Sequence, residues 1–158
     1  MSRLEKPDKT ALIRAAVRND LIPWCAQFGF KKGKRPGSGP PQGPTLLRQR
    51  DGHLDEILFL WRSGYRPVFM IEFWTDQEER MQPTRPVNPK VLPLYSGRIY
   101  PRIRTWRDMF ADGSLYDRHP WYGARMSVDE AIDLAKQRII DLDSYFRTGG
   151  PMDLINLS

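Results

Sequence analysis

Residues 56–74 read EILFLWRSGYRPVFMIEFW, two apolar runs that meet at Ser63-Gly64-Tyr65-Arg66. Successive side chains of a strand point to opposite faces, and here both faces of both runs are apolar. A hairpin of this kind standing alone would expose a broad greasy surface, so the rest of the chain has to cover it on two sides. A turn closing symmetrically puts Leu58, Leu60, Phe69, Ile71 and Phe73 on one face. The other face then carries Ile57, Phe59, Trp61, Val68, Met70, Glu72 and Trp74, and so holds a carboxylate among apolar groups.

The flanking sequence supplies cover. From Asp8 to Phe28 the apolar residues Ile13, Val17, Leu21, Trp24 and Phe28 recur at helical spacing, with Asp8 or Thr10 placed to cap the start and Gly29 the stop. Pro23 removes a backbone donor inside that pattern and predicts a kink or interruption near Leu21. Phe30-Lys31-Lys32 starts a strand, and residues 33–44, GKRPGSGPPQGP, predict a flexible loop. Thr45 to Arg50 predicts a short strand, joined by the tight-turn pair Asp51-Gly52 to His53 and the hairpin.

Beyond the hairpin, the proline-rich residues 76–97 predict an irregular crossing, and Arg98 to Trp106 an edge strand or bulge demoted by Pro101. Ser127-Val128-Asp129-Glu130 is a capping box. It opens a helix whose buried stripe is Val128, Ile132, Ala135, Ile139, Leu142 and Phe146, ending at Gly149-Gly150, after which the tail frays or docks weakly. The expected architecture is a single α+β domain over residues 1–158, two layers deep, with an antiparallel meander packed against N- and C-terminal helices.

The N-terminal helix running into Gly29-Phe30-Lys31-Lys32, the meander containing FMIEFW and the capped C-terminal helix together resemble a bacterial domain of unknown function, number 4304. The resemblance spans most of the chain. It implies a compact bacterial domain with no established catalytic residues, and it carries no site residues over.

At 158 residues with 40% hydrophobic and 28% charged content, the chain can build one genuine core. It has no apolar window of roughly 20 residues and no signal-like N-terminal segment. Cys25 is the only cysteine, which excludes an intrachain disulfide and a cysteine metal cluster. These features predict a cytoplasmic protein with no membrane contact. Lysine and arginine number 25 against 19 acidic residues, a net charge of +6 that favours acidic partners.

Glu72 is the one ionisable residue at a strand position where burial is expected. It can form an ion pair with an arginine of the Arg98–Arg107 run, or line a pocket with Trp61, Met70, Trp74 and Trp106. Arg98, Arg102, Arg104 and Arg107, interleaved with Tyr100 and Trp106, suit phosphate contact and base stacking, or form a solvated edge that deters strand pairing. His119 sits in the polar, aromatic segment DRHPWY, where binding groups collect. His53 and His119 lack metal-ligand spacing, Cys25 reads as a buried inert thiol, and GKRPGSGPPQGP matches no phosphate-cradling loop.

The expectation is a small binding protein without cofactor, metal site or catalytic residues. Its aromatic face and arginine edge would take an acidic protein surface or ligand. Nucleic acid is the alternative partner, and an enzyme pairing Glu72 with His53 or His119 is the second alternative. A second copy of the chain, a ligand or the irregular segment is needed to roof the second hairpin face.

Overall fold

The computed structural model describes residues 8–34, 43–62, 66–76, 95–99, 121–123, 126–148 and 155–157. The architecture is α+β, as expected. The N-terminal helix starts as α1 (Lys9–Ala16), capped by the Asp8 carboxylate, which accepts from Thr10 N at 3.2 Å. It widens into a π-helical turn at Val17–Leu21, then continues as α2 (Ile22–Cys25) and a 3-10 turn to Phe28. Pro23 therefore re-spaces the helix without breaking it. The Ile22 amide donates to Val17 O, five residues back, which takes up the geometry that proline denies to an ordinary α-turn. Gly29 ends the helix in the left-handed region at φ 89°.

Seven strands occur among the described residues: β1 (Lys31–Lys32), β2 (Thr45–Arg50), β3 (His53–Trp61), β4 (Phe69–Thr75), β5 (Tyr95–Ile99), β6 (Trp121–Tyr122) and β7 (Ile155–Leu157). They form one antiparallel sheet in the order β1-β2-β3-β4-β5-β7, with β6 also on β4. β3 occupies one edge of β4, so the opposite edge is shared, Phe69 and Met70 pairing with β6 and Ile71 to Thr75 with β5. The β2–β3 turn has both Asp51 (φ 50°) and Gly52 (φ 81°) in the left-handed region, the conformation for which that dipeptide is suited. The tail, expected to fray or dock weakly, contributes β7 to the sheet beside β5. β5 overlaps only the first two residues of the strand expected at Arg98–Trp106, and the remainder lies outside the described residues.

The hairpin register corrects the symmetric closure. Trp61 pairs with Phe69, Phe59 with Ile71, Ile57 with Phe73 and Leu58 with Glu72. This one-residue offset exchanges the faces contributed by one strand relative to the other. Ile57, Phe59, Trp61, Phe69, Ile71 and Phe73 now share the core face, while Glu56, Leu58, Leu60, Met70, Glu72 and Trp74 share the opposite one. Because both runs are apolar on both faces, alternation alone could not select between these registers.

The core face packs under Ile13, Val17 and Leu21 of the N-terminal helix and under α3 (Val128–Thr148), whose Ile132, Ala135, Ile139, Leu142 and Phe146 are buried as the spacing predicts. Ser127 Oγ caps α3 by accepting from Glu130 N at 3.1 Å. Each such large apolar side chain contributes on the order of 1.5–3 kcal/mol by leaving water. Lys9 fastens the start of α1 to the segment before α3, donating to Met126 O at 2.6 Å and Gly123 O at 3.1 Å.

Candidate functional site

The register separates the residues expected to share a pocket. Trp61 lies on the core face, 6.2 Å from the Phe69 ring centroid and under the Arg14 guanidinium. Met70, Glu72 and Trp74 lie on the other face, so a pocket formed by Trp61, Trp74 and Glu72 together does not exist. Glu72 is opposite Arg98 on β5 and accepts from its Nε at 3.1 Å, the ion-pair alternative. Both side chains are partly open to water. Arg102, Arg104, Trp106 and His119 lie outside the described residues.

The acid–base pairing of Glu72 with His53 does not form either. Glu72 is opposite Leu58, five residues and about 17 Å along β3 from His53, on the other face. The carboxylate beside His53 is Asp76, whose Oδ1 is 3.2 Å from His53 Nδ1 and accepts from Leu54 N at 3.0 Å.

A second set of charges is embedded in the core face itself. Arg48 and Arg50 of β2, Asp55 of β3 and Thr75 of β4 are buried side by side at the end of the sheet beneath the last turns of α3. Asp55 is fully enclosed and accepts from Arg48 Nε at 3.0 Å, Arg50 Nε at 2.9 Å, Arg50 Nη2 at 3.3 Å and Thr75 Oγ1 at 2.7 Å. Arg48 Nη1 also donates to Asp143 of α3 and, at 3.1 Å, to Phe28 O, while its guanidinium lies 4.3 Å from the Phe30 ring centroid. With its oxygens engaged by arginines and a hydroxyl, Asp55 has little room to act as a base. The network instead ties three strands to α3 and to the corner from which β1 departs.

That corner frames an open cleft of about 580 Å³ between the π-helical turn and the sheet edge. Arg18, Asn19 and Ile22 form its helical wall, Lys32, Gly33 and Lys34 its β1 wall, and Gly43, Pro44 and Thr45 the floor leading into β2. The π-turn buries Val17 and Leu21 and turns Arg18 and Asn19 outward. Lys32 is held opposite Leu46, and Gly33 N donates to Thr45 O at 3.1 Å. Gly43 is required by close approach: a Cβ there would collide with the Phe59 carbonyl.

The charge of this cleft is one-sided. Arg18, Lys32 and Lys34 line it, and among the described residues no acidic side chain does. The neighbouring Asp20 is turned to Lys136 Nζ at 2.7 Å on α3 and leaves Arg18 without a counter-charge from its own turn. Arg18 lies in the first helix and Lys32 in the first strand, fourteen positions apart in sequence. Their convergence needs the fold, although the cluster Lys31-Lys32-Gly33-Lys34 was a visible signal.

Two other reactive groups are silenced by burial. The Cys25 thiol is buried as expected, and its pKa is pushed up to about 12 by desolvation, partly offset by the Lys136 charge. Burial likewise raises the Tyr122 phenol well above its ordinary range, against the opposing pull of Arg138. Among the described residues no group of three or more His, Cys, Asp and Glu side chains could hold a metal ion, and no helix is long and apolar enough to cross a membrane.

No family model, curated protein or solved structure matches this sequence.

Proposed function

We propose that this chain is a binding protein, not an enzyme, and that it captures an acidic ligand or acidic protein surface through the Arg18–Lys32–Lys34 cleft. The observation that carries the reading is a concave site lined by three cations and, among the described residues, by no carboxylate. Exposed charges of one sign in a recess concentrate counter-ions and speed their capture. The other polar groups support binding over turnover: Asp55 is enclosed by donors, Cys25 is buried with a raised pKa and Glu72 is paired with Arg98. The cleft is a different surface from the expected aromatic face, and Arg102, Arg104 and Trp106 of the expected arginine edge lie outside the described residues. Nucleic acid is less favoured, since no aromatic residue is among the described lining residues and they offer no platform for base stacking.

The test compares wild type with an Arg18→Ala/Lys32→Ala/Lys34→Ala variant for low-salt retention of acidic probes: a glutamate-rich peptide, an oligonucleotide and a nucleoside triphosphate. Wild type should retain at least one and the variant should lose it. Equal retention by both proteins, or none by wild type, contradicts the reading.

A further inference from the structure

Resting on that reading, we infer that the cleft is built for a small organic phosphate carrying two or more negative charges, with an apolar body, and not for a polymer. Three features of the walls select this class. The volume of about 580 Å³ lies within the range of about 300–1,000 Å³ usual for small-molecule sites. An extended polyanion, by contrast, needs a groove that runs on past a single recess.

Charge is the second feature. Arg18 reaches the cleft from the helix, whereas Lys32 and Lys34 reach it from the sheet edge two residues apart, so an anion between them meets cations from two walls. Three positive charges, with no acidic residue among the described lining residues, exceed what one carboxylate requires and match a phosphate monoester or polyphosphate. Arginine supplies a planar fork for phosphate oxygens, and lysine adds compact point charges.

The third feature is what surrounds the cations. Pro44 on the floor and the exposed margin of Ile22 on the helical wall add apolar surface beside the cations, while Asn19 and Thr45 add uncharged hydrogen-bonding groups. A bare inorganic anion would leave the apolar surface unused; an organic body carrying the phosphate occupies it. Phosphate is held here by side-chain cations, not by a cradle of backbone amides. The departure of GKRPGSGPPQGP from the known phosphate-loop patterns is consistent with that.

Calorimetric titration at low salt decides the matter, using a nucleoside triphosphate without metal, the matching unphosphorylated nucleoside, inorganic triphosphate, a 12-residue oligothymidylate and a glutamate-rich peptide. The expected order is nucleoside triphosphate tightest, inorganic triphosphate weaker and the nucleoside undetected. The Arg18→Ala/Lys32→Ala/Lys34→Ala variant, its folding checked by circular dichroism, should bind the nucleoside triphosphate about tenfold or more weakly. A Lys34→Glu variant should show the same direction and guards against a folding defect in the triple variant. If only the oligonucleotide or the peptide binds, the small-phosphate assignment fails and acidic capture stands. If no probe binds, both fail. Undiminished binding by the two variants places the ligand elsewhere and overturns the site.

Discussion

Arg48 and Asp55 face each other across β2 and β3, joined by Arg48 Nε to Asp55 Oδ2 at 3.0 Å, with both side chains almost wholly removed from water. A charge pair in this position sits where an apolar side chain would ordinarily be expected, on the same sheet face as Ile57 and Phe59. Arg48 also reaches Phe28 O and Asp143, so one guanidinium fastens the sheet, α3 and the corner that launches Lys32 and Lys34.

Breaking that pair from one side should cost about 3–5 kcal/mol, because the partner is left buried and uncompensated. Asp55→Ala and Arg48→Ala should each lose this much in urea unfolding. The double replacement Arg48→Met/Asp55→Leu should lose less than the sum of the singles, since it strands fewer buried charges. Additive losses would show that the two groups are not coupled.

Thr75→Val keeps the shape and removes the hydroxyl that donates to Asp55 Oδ1 at 2.7 Å. A hydrogen bond to a buried charge is worth about 1.5–3 kcal/mol, which sets the expected loss of stability. A shift below experimental error in the chemical-denaturation midpoint would remove Thr75 from the network.

Glu72 and Arg98 form their pair at the surface, where side-chain entropy and solvent screening leave about 0–1 kcal/mol. Glu72→Gln should therefore leave both the unfolding midpoint and the binding of acidic probes close to wild type. A large fall in probe binding would return Glu72 to the site.

Alkaline conditions should expose Cys25. Below about pH 9 its thiol is protonated in the folded and unfolded chains alike and does not affect the slope of stability against pH. Between about 9 and about 12 only the unfolded chain releases the proton, so stability falls as pH rises, by up to about 1.4 kcal/mol per unit. Urea unfolding between pH 8 and 10 should show a shallower decline for Cys25→Ala than for wild type. Parallel slopes would show that the thiol is not buried as described.

These particulars show where the sequence was legible. The Asp8 cap, the Gly29 stop, the Asp51-Gly52 turn and the Ser127 cap are local chemistry, and each has the expected geometry. The hairpin register was not legible, because apolar residues on both faces remove the alternation that fixes it. Arg48, Arg50 and Asp55 read as an ordinary polar strand pair, since their burial depends on Asp143, nearly ninety positions after Asp55. The cleft is still more a product of tertiary structure: Arg18 and Lys34 both line it because the fold brings the π-turn beside the sheet edge.

The central claim is that Arg18, Lys32 and Lys34 form one anion site. Its most direct measurement is the dissociation constant of a metal-free nucleoside triphosphate at low salt for wild type and for the three single alanine variants. The account predicts saturable 1:1 binding that each substitution weakens and added salt abolishes. Binding that is absent in wild type, or indifferent to all three substitutions, contradicts it.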